Sequence, residues 1–359
     1  MQESEIKKAA ATLLEKIFKT NRPANELINT YLRMHRYVGS NDRKTLYHYL
    51  WTAIRSYARL TYLYPDASWD ERLEQLGTLP AHLDGAPDWV NWEVPDWLLS
   101  HIPGADQELP ALLEPAPVIL RAIADREKVR QALADEGIPT TPTPLSPFGL
   151  KVMDGRYNIT ASKTYKAGLV EVQDEGAQMI ALEAGVKPKS SVFDFCAGAG
   201  GKSLIFAQLM NNQGEIASYD VSVRSLKELE KRAYRAHISI IRTHYKLFPT
   251  YKKFDYVVVD APCSGTGTWR RCPDARWNLT EKQLMNITHR QAEILETACA
   301  YVKDDHFLVY MTCSLTQDEN EDQIQHFLEK HPEFHLLKQK RFSPYRTGTD
   351  GFFVAVLQR

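Results

Sequence analysis

No run in this 359-residue sequence approaches the roughly 18 consecutive apolar residues that a membrane span requires. Its start, Met-Gln-Glu-Ser-Glu-Ile-Lys-Lys, has no apolar signal core. Both absences predict a cytoplasmic protein with no membrane partner. Cysteine is scarce as well: there are five, an odd number, and none forms a Cys-x-x-Cys pair. That excludes a disulfide framework and a structural zinc site, so no metal is expected and the cysteines read as reduced thiols. Net charge is nearly absent, at −1, but it is unevenly spread. Residues 1–65 carry 11 Lys and Arg against 5 Asp and Glu, residues 66–136 carry 5 against 15, and residues 137–359 carry 28 against 25. A basic amino-terminal part beside a near-neutral body suits contact with a polyanion, although a solvated helical face has the same composition.

Between Glu3 and Leu63 the breakers Gly and Pro are nearly missing, and apolar residues recur at helical spacing, as in Ala10, Leu13, Leu14, Ile17 and Leu46, Tyr49, Leu50, Ala53, Ile54. Residues 1–75 therefore read as a helical domain, with Ser40 or Asn41 capping one helix. Residues 76–115 change character, because Pro80, Pro87, Pro95, Pro103 and Pro110 interrupt any long helix while Trp89, Trp92 and Trp97 demand burial. They read as a packed connector with a short helix near 96–101. Residues 116–172 follow as a small α+β module. From residue 173 to 359, apolar strands alternate with amphipathic helices, which predicts a mostly parallel seven-stranded α/β sheet of the Rossmann type, covered on both faces. The last strand, near 352–357, is expected to close a hairpin with 335–340.

Within that domain, Asp194-Phe-Cys-Ala-Gly-Ala-Gly-Gly-Lys-Ser203 is a strand running into a glycine turn and a helix. Gly198, Gly200 and Gly201 let the backbone approach a ligand closely, and the helix near Lys202 offers free N–H groups. Asp220 ends the next strand, where an acidic side chain can hold a ribose diol. A phosphate-cradling loop does not fit, since Cys196 stands where its first glycine belongs, and a dinucleotide fingerprint fails at Ser203. A nucleoside without phosphates, such as S-adenosylmethionine, fits the loop best. A turn that merely joins strand to helix is the plainer alternative.

Cys263 in Asp-Ala-Pro-Cys-Ser (260–264) and Cys313 in Met-Thr-Cys-Ser (311–314) each follow an apolar run that reads as a buried strand. This puts two thiols at the carboxyl edge of one sheet, where open α/β folds bind ligands. Carbon 5 of cytosine is a poor nucleophile, and a thiolate adding at carbon 6 activates it. An acid near N3 and a base for the carbon 5 proton complete the chemistry, and Asp260, Cys263 and Cys313 supply that set. Cys196, Cys272 and Cys299 read as small packing residues instead.

Gln173-Asp-Glu-Gly-Ala-Gln178, the glycine loop, Asp260-Ala-Pro-Cys-Ser-Gly-Thr-Gly267, Arg270-Arg-Cys-Pro-Asp274, Thr312-Cys-Ser314 with Glu319-Asn-Glu321, and Asp350-Gly-Phe-Phe353 occur in this order. Together they resemble the RNA cytosine-5 methyltransferases, and more closely the RsmB/NOP2/Sun (Fmu) family that acts on ribosomal RNA. The likeness covers about the last 240 residues. The amino-terminal helices, with Gly39-Ser-Asn-Asp-Arg43, more loosely resemble the NusB-type RNA-binding domain of the bacterial branch, and the 116–172 module an RRM-like unit.

The resemblance implies methylation of carbon 5 of a cytosine in RNA, 16S ribosomal RNA foremost, with S-adenosylmethionine as cofactor. Cys313 would be the nucleophile, Cys263 would assist release, Lys202 would face the active centre, and Asp260 would touch base and donor. Cys196, Ala197, Gly198, Ala199, Gly200, Gly201, Lys202, Asp220 and Asp260 would hold the cofactor. Two departures stand out. The loop has Ala-Gly-Ala-Gly-Gly-Lys-Ser where the family more often has Ala-Ala-Pro-Gly-Gly-Lys-Thr, and the acid usually found near the adenine is missing, leaving Thr243 or His244 to replace it. RNA phosphates would meet Lys163 and Lys166, Arg270, Arg271 and Arg276, and Lys338, Lys340, Arg341 and Arg346, with Trp269 and Trp277 available for stacking. A transfer RNA target, or a non-catalytic assembly factor of the same fold, are the alternatives; a dinucleotide oxidoreductase ranks last. The oligomeric state stays open, with a monomer favoured.

Overall fold

The computed structural model describes residues 2–20, 22–153 and 157–359. The chain divides into two compact units, residues 1–115 with 268–284, and residues 116–267 with 285–359.

In the first unit, helices Glu3–Lys19, Ala24–Met34, Ser40–Arg55 and Tyr57–Leu63 each turn one apolar stripe inward. Ala10, Leu14, Ile17, Ile28, Leu50 and Ile54 form their shared core, each large side chain contributing about 1.5–3 kcal/mol by leaving water. The third helix starts at Ser40 but is not capped by Ser40 or Asn41. Instead the Asp42 carboxylate, inside the first turn, accepts from the Gly39 N–H at 3.2 Å.

Residues 268–284 belong to this unit although the sequence suggests the catalytic domain. Trp269, Arg270 and Arg276 are buried. The Arg276 guanidinium donates to the Glu93 carbonyl at 3.0 Å and lies 5.6 Å from the Trp269 ring, while Asp274 accepts from the Ala24 N–H at 2.8 Å. Tyr57 packs on Trp277 at 4.7 Å. Buried as they are, Trp269, Arg270 and Arg276 are members of the core of the helical unit rather than surface groups for phosphates or bases.

The second unit begins with β1 (Ile119–Ala122), β2 (Thr140–Pro142), β3 (Gly149–Val152) and β4 (Val170–Val172). They form an antiparallel sheet in the order β2-β3-β1-β4, with helices Arg126–Asp135 and Lys163–Lys166 completing a split βαβ plan. Polar bonds join it to Gln173 and to two helices, Gly201–Leu209 and Val223–Arg235, that pack beside the larger sheet. Buried Arg121 of β1 donates to Gln173 at 2.6 Å and to Gln208, and buried Glu171 of β4 accepts from Arg232 at 3.0 Å and from Arg235.

The large sheet contains β5 (Ser191–Asp194), β6 (Glu215–Tyr219), β7 (Ile241–His244), β8 (Phe254–Asp260), β9 (Val302–Thr312), β10 (His335–Phe342) and β11 (Phe352–Gln358). Their order is β10-β11-β9-β8-β5-β6-β7, with β11 antiparallel to β9 and to β10, so the expected closing hairpin is present. Apolar clusters lie on both faces, which is why the central strands are continuous in Val, Ile and Phe. β5 and β8 are central neighbours whose following chains diverge, the place where such sheets leave a crevice at their carboxyl ends.

Two local features fix that edge. Gly267 follows the β8 loop and Gly351 precedes β11; the Gly351 N–H donates to the Gly267 carbonyl at 2.7 Å, and a side chain on Gly267 would meet the Gly351 carbonyl oxygen at 2.2 Å. Asp194, at the end of β5, is fully buried and accepts from Ser203 Oγ at 2.5 Å, with Ser218 Oγ a further 2.9 Å on. Burial lifts its carboxyl to about 7, against the pull of the Ser203 bond.

Replacing Gly267 by Ala should force these backbones apart and cost about 1–3 kcal/mol, read as a lower melting temperature in calorimetry. Asp194 gives a pH dependence whose sign is fixed. Because its folded value lies above the ordinary 3.8, the stability it contributes is complete below that value and is lost as pH rises to about 7, at up to about 1.4 kcal/mol per pH unit. Asp194→Asn should flatten that loss; denaturant titrations of both proteins at pH 5 and pH 8 measure it.

Candidate active site

β8 and β9 run parallel with Asp260 level with Met311. The chains leaving them start at the same height, and this brings Cys263 and Cys313 together: their sulfurs are 3.1 Å apart, and the Cys313 N–H also points to the Cys263 sulfur at 3.4 Å. The hydrogen bond with Cys313, followed by burial, pushes the Cys263 thiol well above its ordinary value. Cys263 therefore keeps its proton, which is available for the bond between the two sulfurs. Such a donor stabilises a thiolate on the neighbouring sulfur.

Both loops are held by Glu319, which is fully buried. Its carboxylate accepts from the Ser264 N–H at 2.7 Å, from Thr316 Oγ1 at 2.8 Å, from Gln291 Nε2 at 3.0 Å and from the hydroxyls of Ser264 and Ser314. Asn320 adds a bond to Thr312 Oγ1 at 2.6 Å and one to the Ser314 carbonyl at 2.9 Å.

Lys202 enters from the helix Gly201–Leu209, and its ammonium donates to Asp260 Oδ2 at 3.0 Å. Burial pulls that ammonium down, but the charge and hydrogen bond of Asp260 outweigh it and hold it above its ordinary value. The glycine turn before this helix depends on Gly200, whose φ of +85° and closeness to Leu229 exclude a side chain. Asp220 Oδ2 accepts from the Gly198 N–H at 2.9 Å and its Oδ1 from the Ser222 N–H at 2.7 Å. Arg232 donates to the Ala199 carbonyl at 2.6 Å, and Gln173 to the Gly201 carbonyl at 3.0 Å.

A cavity of about 520 Å³ opens beside these groups, lined among others by Cys196, Asp220, Val221, Leu247, Asp260 and Pro262. Apolar walls with three carboxylates, Asp220, Asp260 and Glu293, suit a flat heterocycle carrying a sugar diol and a positive charge. Of the expected cofactor residues, Cys196, Asp220 and Asp260 line the cavity, Ala197–Gly201 form the turn leading into the helix, and Lys202 points to Asp260. Neither expected adenine contact is among the lining residues: Thr243 bonds Glu230, and His244 packs at a tilt against Phe248 at 4.5 Å. Val221, Leu247, Arg290 and Glu293, which carry no motif, line it instead.

Cys299 is buried, Cys272 is exposed, and burial drives the Cys196 thiol far up, so it stays protonated. Lys338 and Lys340 pair with Glu183 at 2.8 and 2.7 Å, and Arg341 with Glu321, whereas Lys163 and Lys166 are exposed. Among the described residues, no group of three or more His, Cys, Asp and Glu is placed to hold a metal, and no helix is long and apolar enough to cross a membrane.

The crystal structure of PH0851 superposes with a TM-score of 0.80 at 23% identity, covering 100% of this chain and 99% of that one. That of a methyltransferase homolog from Pyrococcus horikoshii gives 0.66 at 23% identity over 76% and 97%. At such identities the likeness establishes the fold. In sequence, the chain is 31% identical over 259 residues to a probable ribosomal RNA small subunit methyltransferase B of Bacillus subtilis, covering 66% of this chain and 58% of that protein. It is also 31% identical over 282 residues to the human 28S rRNA (cytosine(4447)-C(5))-methyltransferase, covering 68% and 34%. It thus spans less than two thirds of the length of either relative. The family profile described as 16S rRNA methyltransferase RsmB/F matches residues 179–358, the stretch that holds the glycine loop, both thiols and the Glu319 clamp. By that match the chain belongs to the RsmB/F family of 16S rRNA methyltransferases.

Proposed function

We propose that this chain methylates carbon 5 of a cytosine in RNA, with 16S ribosomal RNA as the foremost target, using S-adenosylmethionine. The observation that carries this reading is the pair of sulfurs 3.1 Å apart, one holding its proton, beside the ion pair of buried Lys202 with Asp260 and a nucleoside-sized cavity. S-adenosylmethionine, when bound, supplies an electrophilic methyl group on a sulfonium. Asp220 suits its ribose diol, Val221 and Leu247 the faces of its adenine, and Asp260 its positive charge.

Cys313, attacking as a thiolate, forms a bond to carbon 6 of the ring. The electron pair displaced from the carbon 5–carbon 6 double bond is accommodated by protonation at N3. Lys202 is the source of that proton, and carbon 5 becomes nucleophilic. Once the Cys313 sulfur is a thioether, the main influence raising Cys263 is gone. Cys263 then loses its proton to solvent, takes the carbon 5 proton, and the carbon 6–sulfur bond breaks with its electron pair returning to Cys313. N3 gives its proton back to Lys202. A thiol that was a hydrogen-bond donor at rest thus becomes the base for release. The cytosine must leave its stack to reach the sulfurs, which favours a loop or single-stranded site. The basic helices of residues 1–65 suit a part in choosing the RNA.

RNA incubated with Cys263→Ala and the methyl donor should accumulate as a covalent adduct on a denaturing gel, whereas Cys313→Ala should form none; methylation by Cys313→Ala would reverse the roles. Asp260→Asn removes the leading upward influence on Lys202. If protonated Lys202 is required, the alkaline limb of the rate profile should move to lower pH, and Lys202→Met should lower the maximal rate by about 10²–10⁴-fold. An unmoved limb in single-turnover assays would remove Lys202 from the proton transfer.

A further inference from the structure

Residues 221–253 contain nine Lys and Arg against two Glu, a net charge of +7 in a chain whose total is −1. Two of the nine, Arg232 and Arg235, are consumed by buried Glu171. Most of the others reach solvent. On the helix Val223–Arg235, Leu226, Leu229 and Ala233 face the core. Arg224, Lys227, Lys231 and Tyr234 fall on the opposite side within one narrow stripe, since their spacings of three and four residues bring side chains into register. Tyr234 is 86% exposed. One turn before it, Glu230 accepts from Thr243 Oγ1 and from the Tyr245 hydroxyl at 3.1 Å, which joins the stripe to the end of edge strand β7. Tyr245 is 49% exposed and Tyr251, in the following loop, 84%. Among the described residues, Arg224, Lys227 and Lys246 have no ion-pair partner. Val221 and Leu247 of the same segment line the cavity, so this face begins at its mouth.

Large aromatic rings left in water cost free energy unless something covers them, and cations spaced among them match a strand that alternates bases with phosphates. We propose that this face, the helix stripe Arg224, Lys227, Lys231 and Tyr234 with Tyr245, Lys246 and Tyr251, is a platform for a single-stranded RNA segment flanking the target cytosine. The proposal rests on RNA being the substrate. Lys and Arg take the phosphates, and the tyrosines stack on bases without choosing among them, so the platform adds grip and register while the thiol site selects the cytosine.

The test measures binding of a fluorescein-labelled 20-nucleotide oligocytidylate to the full chain by anisotropy across a salt series. Arg224→Gln, Lys227→Gln and Lys246→Gln combined should weaken binding more than tenfold and flatten the slope of log affinity against log salt by about 2, at about 0.7 per lost phosphate contact. Tyr234→Ala and Tyr251→Ala should each weaken it about tenfold with the slope unchanged. S-adenosylmethionine affinity by calorimetry should be the same in every variant, which controls for folding. Oligonucleotide carrying 4-thiouridine should crosslink to peptides within 221–253 of the unaltered protein. Normal affinity and slope in the variants, or crosslinks confined to other peptides, would overturn the platform while leaving the RNA reading intact, and would point to an acidic protein on this face. If the unaltered chain bound no RNA at all, both proposals would fall.

Discussion

One buried carboxylate governs the site. Glu319 makes five hydrogen bonds that end on the loop after β8, the loop after β9 and the helix Glu281–Cys299. An unpaired charge at that depth would be strongly destabilising, so the surrounding hydroxyls and amides have little freedom to turn elsewhere. The two cysteines sit one residue from two of these anchors, Ser264 and Ser314. Parallel pairing of β8 and β9 sets the height of the thiols, and Glu319 sets their separation. Neither constraint alone would place sulfurs 3.1 Å apart. The sheet contributes the rigid part, and the carboxylate converts two loops, ordinarily the mobile parts of such a fold, into fixed ones.

The fold was largely legible because the large sheet is buried on both faces, and such strands are written as plain apolar runs. β8 is an example: Phe254–Asp260 was readable to the residue. β9 was readable only from Phe307, since its first half, Val302 to His306, is polar and shifts register against β8. The thiols were legible as strand-end residues. Their clamp was not, because a Glu in a polar stretch carries no periodic signal, and its meaning lies in partners as far as 55 residues away. The cavity walls show the same limit. Asp220 was found through its spacing from the glycine turn, but Val221 and Leu247 are ordinary aliphatic residues, and Glu293 comes from a helix remote in sequence.

Charged residues misled most. Arg270 and Arg276 sit beside a catalytic motif, where arginine suggests phosphate, yet the structure spends them in the core of the helical unit; Arg276 reaches a carbonyl 183 residues away. Lys338 and Lys340 are neutralised by Glu183. The segment with the strongest local excess of positive charge escaped notice because a count over residues 137–359 diluted it to +3. Charge predicts a partner only after structure removes the cations already committed to internal carboxylates and carbonyls.

The two cysteines are chemically alike in sequence and unlike in the fold, and the proposed mechanism rests their different roles on this asymmetry. Two thiolates at hydrogen-bonding distance would set two negative charges side by side, so ionising one sulfur opposes ionising the other. The proton rests on Cys263, whose value is raised first by its bond to Cys313 and then by burial and by Glu319 nearby. In the proposed cycle the other sulfur is the nucleophile. In that proposed cycle, attack would remove the hydrogen bond that raises Cys263 most, because a thioether is a poor acceptor and carries no charge. On that proposal, formation of the adduct would prepare the group that dismantles it, so one pair of identical side chains would serve opposite steps of a single cycle.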